Sequence, residues 1–315
     1  MEIFIHQSLD LRQRDFLEKN FPGKQFVYGD DLPKTEREKA FMRAEVVFGN
    51  VSSGWISRSE NLRWIQLASA GVNQYIRLDW ENLSKKINLT NLSGFFGISV
   101  AETALAGILA LYRRIDHLAR LQVSKTWRGK EERELVRTLW QKKVVILGPG
   151  AIGGHLKRLL LAFDCEVIMY GRRRENADII TAEELDQLLP GIDILVAALP
   201  ETEETINFLN RQRLALLSPA AMLVSMGRGS VLDETALAEM LHSQKLLGAV
   251  VDVTIEEPLP EDHAFWTSPC TLLTQHTSGG FEDEVSAFLK FFVANLHRYI
   301  EGNPLVNIVD WKKGY

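Results

Sequence analysis

Two cysteines in 315 residues, Cys165 and Cys270, stand far apart with no metal-ligand spacing around them, which excludes a disulfide framework and a cysteine metal site. Each lies beside or within an apolar run, so both read as buried packing residues in a reducing compartment. Excess positive charge is missing too. The 36 Lys and Arg are outnumbered by 41 Asp and Glu, giving a formal net charge of -5 and no electrostatic footprint for nucleic acid or an anionic membrane surface. No apolar run approaches the roughly 18–20 residues of a membrane span, and the start, MEIFIHQS, is acidic and reads at once as a strand rather than as a targeting segment. Fixed-period repeats and low-complexity segments are absent as well. What is left is a cytoplasmic chain with small-molecule partners, 46% hydrophobic and long enough for two ordinary domains with cores of their own.

From Met1 to about Asn91, short apolar runs beginning near Ile3, Gln25, Glu45, Leu62 and Ile87 alternate with helical or turn-rich segments, the pattern of a small α/β unit. Ser99 to Gln122 reads as one long helix, with Ser99 at its N-cap and Glu102 closing a capping box. Its middle is apolar nearly all round and must be buried on more than one side. Ala101, Ala104, Gly107 and Ala110 would let another backbone approach, from this chain or from a second copy. Residues 124–143 are polar and read as a solvated loop in which Trp127 and Trp140 need cover. From Lys143 six apolar runs alternate with helical segments, the signature of a doubly wound parallel sheet. Glu282 to Gly302 then forms an amphipathic helix with a glycine stop.

The first strand of that second series runs into GPGAIGG. Gly148 permits the tight turn, Gly150 lets the backbone reach a pyrophosphate, and Gly153 lets the following helix pack on the strand. With Ala151 and Ile152 they open a helix whose free amides and dipole face phosphate. About twenty residues on, an NAD site usually carries an acid for the ribose 2′-hydroxyl. Here the sequence reads Tyr170, Gly171, Arg172, Arg173, Arg174. Arginines offer forked, permanent charge to a 2′-phosphate that an acid would repel. One well-placed charge-assisted bond, roughly 1.5–3 kcal/mol, would favour NADP(H) about ten- to a hundredfold.

Three polar residues follow directly on strands of this series, where an open parallel sheet binds its ligands: Arg228 between two glycines, Glu257 before Pro258, and His276 after the last strand. An arginine there can grip a carboxylate or keto acid bidentately. A histidine can move the proton of a hydroxyl, and a neighbouring carboxylate would orient the ring. His155, inside the pyrophosphate helix, and His263, after Glu257, are the decoys.

In their order and separations, GPGAIG, MGRGSVLDETAL, VDVTIEEPLP and QHTSGG resemble the D-isomer-specific 2-hydroxyacid dehydrogenase family, and SAGVN at Ser69 and SVAETALAGILALYRR are similar to its earlier segments. The resemblance covers nearly the whole chain. It implies a Rossmann domain, residues 96–280, inserted into a smaller flavodoxin-like α/β substrate domain, residues 1–95 and 281–315, with catalysis in a cleft that closes. It also implies that Arg228 holds the substrate carboxylate and carbonyl, that Glu257 pairs with His276, and that His276 donates the proton. Ser69, Ala70, Gly71 and Val72 would complete the carboxylate site. Asp252 would lie near the nicotinamide carboxamide. The family dimerises through the long helix, which favours a seam at Ala101 to Ala110 and a homodimer.

Two departures stand out: Gln275 replaces a common proline before the histidine, and the arginine run replaces the ribose acid, as in NADPH-using glyoxylate and hydroxypyruvate reductases. The leading expectation is an NADPH-dependent reductase of a small 2-keto acid such as glyoxylate or hydroxypyruvate, yielding the D-2-hydroxy acid. The alternatives are an NAD-dependent dehydrogenase of another D-2-hydroxy acid, such as a phosphoglycerate type, and a cofactor-gated corepressor-like binding protein. The first would want an acid near Tyr170 and a long serine-sensing extension. The second would want a basic or Pro-rich interaction tail, and the sequence displays none of these.

Overall fold

The computed structural model describes residues 1–311, and the chain divides into two compact units, Met1–Phe95 with Phe281–Tyr315, and Phe96–Gly280. In the first unit the elements run β1 (Glu2–Ile5), α1 (Leu11–Asn20), β2 (Gln25–Tyr28), α2 (Lys34–Arg43), β3 (Val46–Phe48), α3 (Ser53–Arg58), β4 (Trp64–Gln66), α4 (Trp80–Leu83) and β5 (Asn88–Thr90). The strands are the five apolar runs read from the sequence. They form a wholly parallel sheet in the order β2-β1-β3-β4-β5. Asp10 starts α1 by accepting from the Gln13 amide at 2.8 Å while Gln13 accepts from the Asp10 amide at 2.9 Å, a capping box that satisfies two orphan donors. The later helix, Glu284–Glu301, lays Phe292 flat on Phe48, with ring centroids 4.5 Å apart, and stacks Phe292 and Tyr299 on Trp64 at 5.4 Å. Beneath it the Trp64 indole donates to Thr90 Oγ1 (2.9 Å), and the Thr90 hydroxyl and Asn295 amide donate to Gln66 Oε1 (2.7 and 3.1 Å). This network fixes which side chains face each other in the core. The tail then runs antiparallel beside β5, with Ile308 bridging Thr90 and the Val309 amide donating to Leu89 O at 2.9 Å.

The second unit comprises α5 (Gly97–Tyr112), α6 (Ile115–Val123), α7 (Gly129–Arg133), β6 (Lys143–Leu147), α8 (Ala151–Leu161), β7 (Glu166–Tyr170), α9 (Ala182–Leu188), β8 (Ile194–Ala197), α10 (Arg211–Leu214), β9 (Met222–Ser225), α11 (Glu234–His242), β10 (Gly248–Val251) and β11 (Thr271–Leu273); the later helix of the first unit is α12. Its six strands are all parallel in the order β11-β10-β9-β8-β6-β7. Alternation along β6 sends Val145 and Leu147 into the core under α9, α10 and α11, and Val144 and Ile146 into the core under α5 and α8. The chain leaves β6 for β7 on one side and returns to β8 on the other, which makes the β6/β8 boundary the topological switch point.

Five expectations change. The long helix is two helices, broken where Arg114 adopts a left-handed φ of 57° and its guanidinium pairs with Glu132 at 2.7 Å. Its N-cap is Phe96 rather than Ser99, whose hydroxyl donates instead to the carbonyls of Phe96 and Gly279 at 3.1 and 3.0 Å, so no capping box forms. The polar stretch is not all loop: α7 buries Glu132 to receive Arg114, while Trp127 and Trp140 stay 95% and 58% exposed. Ala101, Ala104 and Gly107 are buried within the unit; a Cβ on Gly107 would lie 2.7 Å from Val250 of β10, so these residues serve packing inside the chain rather than a seam. Of the cysteines only Cys165 is buried; Cys270 is exposed, at the left-handed turn that enters β11.

Candidate active site

At the carboxyl end of β6, Gly148 has a φ of 106°, and a Cβ on Gly153 would sit 2.1 Å from the Gly148 carbonyl oxygen, so only glycine fits. Gly150 caps α8. Among the described residues no group accepts from the amides of Ala151, Ile152 and Gly153, which leaves the first turn of a helix open to an anion. The turn therefore fits a dinucleotide pyrophosphate.

Gly171, at the end of β7, packs against Pro149 of this turn; a Cβ there would lie 2.7 Å from the proline ring. The exposed Arg172 and Arg173 consequently emerge beside the pyrophosphate turn. Arg174 is used differently. Its guanidinium donates to Asp178 O at 2.5 Å and pairs with Glu184, whose carboxylate also receives the amides of Ile180 and Thr181 at 2.8 and 3.0 Å. Those contacts, the Ile180 amide first and Arg174 next, draw the Glu184 carboxyl down to about 2. Arg174 thus braces the turn that presents the other two arginines.

The neighbouring strands β9, β10 and β11 deliver Arg228, Glu257 and His276 from their carboxyl ends. The first two loops touch through backbone: a Cβ on Gly229 would lie 2.1 Å from the Thr254 carbonyl carbon. Glu257 Oε1 accepts from the Thr254 amide at 3.1 Å, and Oε2 lies 2.7 Å from His276 Nδ1. An ionised carboxylate only accepts, so Nδ1 carries a proton. Nε2 is the ring nitrogen that stands outside this pair, on a side chain 53% exposed.

Asp252, at the end of β10, is 4% exposed and pins the histidine loop. Its carboxylate accepts from Thr274 Oγ1 at 2.6 Å, from the Ser278 amide at 3.2 Å and from the Ser278 hydroxyl, while its carbonyl receives the His276 amide at 2.7 Å. These bonds hold Gln275 and His276 at left-handed φ of 52° and 56°. A proline, locked near −65°, cannot occupy the first of these positions, which accounts for Gln275.

Sequence reasoning missed this pinning role and the buried Glu234, which accepts from the Ile255 amide at 2.8 Å and so holds the loop leading to Glu257. Burial pushes the Glu234 carboxyl up. Both decoy histidines have structural partners: His155 lies against Arg158, and His263 accepts from the Phe265 amide at 3.2 Å with Glu234 3.4 Å away. In the first unit, Ser69 to Val72 form the loop that follows β4.

A sequence model described as D-isomer specific 2-hydroxyacid dehydrogenase, NAD binding domain, matches residues 105–278, more than half of the chain. Glyoxylate/hydroxypyruvate reductase B of Pectobacterium carotovorum is 30% identical over 314 residues, covering 96% of this chain and 94% of that protein. A D-isomer specific 2-hydroxyacid dehydrogenase family protein from Aeromonas salmonicida superposes with a TM-score of 0.86 at 26% identity, over 98% of this chain and 99% of that one. A D-isomer specific 2-hydroxyacid dehydrogenase from Xanthobacter autotrophicus, solved with NADPH and MES, gives 0.80 at 25% identity, over 100% and 99%. With the glycine turn and the three strand-end residues in place, the chain belongs to the D-isomer specific 2-hydroxyacid dehydrogenase family and is an NAD(P)-dependent oxidoreductase.

Proposed function

We propose that this protein reduces a small 2-keto acid, of the glyoxylate or hydroxypyruvate kind, to the D-2-hydroxy acid with NADPH. The observation that supports the chemistry is the His276–Glu257 pair, which engages Nδ1 and leaves Nε2 as the ring nitrogen able to donate when the ring is doubly protonated. The glycine turn at Gly148–Gly153 would hold the dinucleotide, whose nicotinamide when bound would supply hydride to C2. His276 Nε2 gives its proton to the carbonyl oxygen, while Arg228 holds the substrate carboxylate and meets the charge growing on that oxygen. The amides of Ser69 to Val72 serve as further donors to a substrate carboxylate. The substrate class is supported by the name of the Pectobacterium relative. Residues 96–280 act as the cofactor domain and residues 1–95 with 281–315 as the substrate domain, in the cytoplasm.

Preference for NADPH rests on Arg172 and Arg173 beside the pyrophosphate turn and on the lack of an acid after Tyr170. Replacing both arginines by alanine is expected to raise KM for NADPH by about ten- to a hundredfold, the loss of one or two charge-assisted bonds, and to leave NADH nearly unchanged. Steady-state rates at 340 nm read this directly. Equal losses with both cofactors would show that the arginines do not meet the 2′-phosphate.

We also propose a homodimer, through exposed apolar side chains on and after α6. Val123 is 86% exposed, Trp127 95%, Leu135 55% and Trp140 58%, a concentration that monomeric surfaces rarely carry. Trp127→Glu is expected to shift sedimentation from dimer toward monomer at micromolar concentration. A wild type that sediments as a monomer would end this proposal.

A further inference from the structure

The loop after β4 is satisfied on one side only. Its carbonyls are taken: Ser69 O by the Leu92 amide (2.9 Å), Ala70 O by Asn91 Nδ2 (2.8 Å), Gly71 O by the Ser69 hydroxyl (2.9 Å) and Val72 O by the Tyr75 amide (2.8 Å). Among the described residues no group accepts from the amides of Ser69, Ala70, Gly71 and Val72. Consecutive donors without acceptors, beside carbonyls that are all engaged, favour an anion as partner.

Two asparagines on the adjoining strand ends enforce this asymmetry. Asn50, two residues past β3, accepts from the Ala68 amide at 3.0 Å through Oδ1 and donates to Ser69 Oγ at 3.1 Å through Nδ2. It thereby turns the hydroxyl toward Gly71 O. Asn91, directly after β5 and 2% exposed, donates to Ala70 O and accepts from the Ser93 amide at 3.0 Å. Asn91 is itself held by Asn307 of the tail, which accepts its amide at 3.1 Å and donates to the carbonyls of Asn91 and Ser93 at 3.3 and 2.9 Å. A carboxamide supplies its donor and its acceptor on separate atoms at the end of one side chain; an aspartate keeps the acceptor alone.

We infer that Asn50 and Asn91 are positioning residues that hold the Ser69–Val72 amides ready for the substrate carboxylate. The inference rests on the proposed reduction of a 2-keto acid at this loop. The test compares wild type, Asn50→Ala, Asn50→Asp and Asn91→Ala as full-length protein. Calorimetry gives oxalate affinity in the presence of NADP, and rates give KM and kcat for glyoxylate together with KM for NADPH. Asn50→Ala is expected to weaken oxalate and raise KM for glyoxylate by about tenfold, the loss of roughly one oriented hydrogen bond, with kcat and KM for NADPH within about threefold. Asn91→Ala acts in the same direction. Asn50→Asp is close to isosteric, yet it puts negative charge beside the anion, so its defect exceeds that of Asn50→Ala. A merely structural role predicts instead a lower melting temperature with kcat falling and KM intact.

Unchanged oxalate affinity in Asn50→Asp, or no oxalate binding by wild type, overturns the inference. A wild type that binds oxalate with variants in the expected order but reduces no 2-keto acid sinks the proposed activity and leaves the positioning role standing.

Discussion

Replacement of His276 by alanine is expected to lower kcat for 2-keto acid reduction by about 10²–10⁴, the usual contribution of a positioned general acid, with the dissociation constant of NADPH unchanged. The geometry makes the effect this large because the ring has one role for each nitrogen. Nδ1 is committed to Glu257 at 2.7 Å, and the loop that orients the ring is bolted to the buried Asp252 by four hydrogen bonds, from Thr274, from the Ser278 amide and hydroxyl, and from the His276 amide. Alanine removes the proton and leaves the bolts in place. Stopped-flow absorbance at 340 nm with saturating NADPH separates the chemical step from product release. A variant within tenfold of wild type would mean that the proton reaches the substrate oxygen from another group.

Arg228→Ala is expected to cost about 10²–10³ in kcat/KM, comparable to removing one preorganised donor from an oxyanion site, and Arg228→Lys to recover only part of it. Lysine restores charge but not the planar fork that can hold a carboxylate and a carbonyl oxygen together. The backbone that carries Arg228 cannot adjust, since Gly229 abuts the Thr254 carbonyl with no room for a side chain. Steady-state kinetics of the two variants against the same keto acid give the ratio. Full recovery by lysine would show that charge alone, without bidentate geometry, is what the site uses.

Strand positions were legible because each is a short apolar run closed by turn residues, and residues at the carboxyl ends of parallel strands are adjacent whatever the loops do. That is why Arg228, Glu257 and His276 could be named, and why the glycine turn could be placed on β6 and α8. What escaped the sequence depends on partners distant along the chain. The break at Arg114 needs Glu132, eighteen residues on. The bracing role of Arg174 needs Glu184, ten residues on. Asn50 and Asn91 converge on the Ser69 loop only because β3, β4 and β5 are neighbours in the sheet, an order that no local pattern encodes. The exposure of Cys270 likewise follows from a left-handed turn, which no preference of cysteine foretells.

The first unit is assembled from two stretches of chain separated by the whole of the second. During synthesis the sheet of β1 to β5 is made early, yet Phe292 and Tyr299, which cover Phe48 and Trp64, and the tail that bridges β5 at Ile308 and Val309 emerge some two hundred residues later. At the ~5–20 residues per second of translation, that sheet waits on the order of ten seconds or more with an aromatic face bare and one edge unpaired. An open edge is a template for wrong partners. The nascent chain therefore passes through an interval in which chaperone capacity, rather than final stability, sets the yield of folded protein.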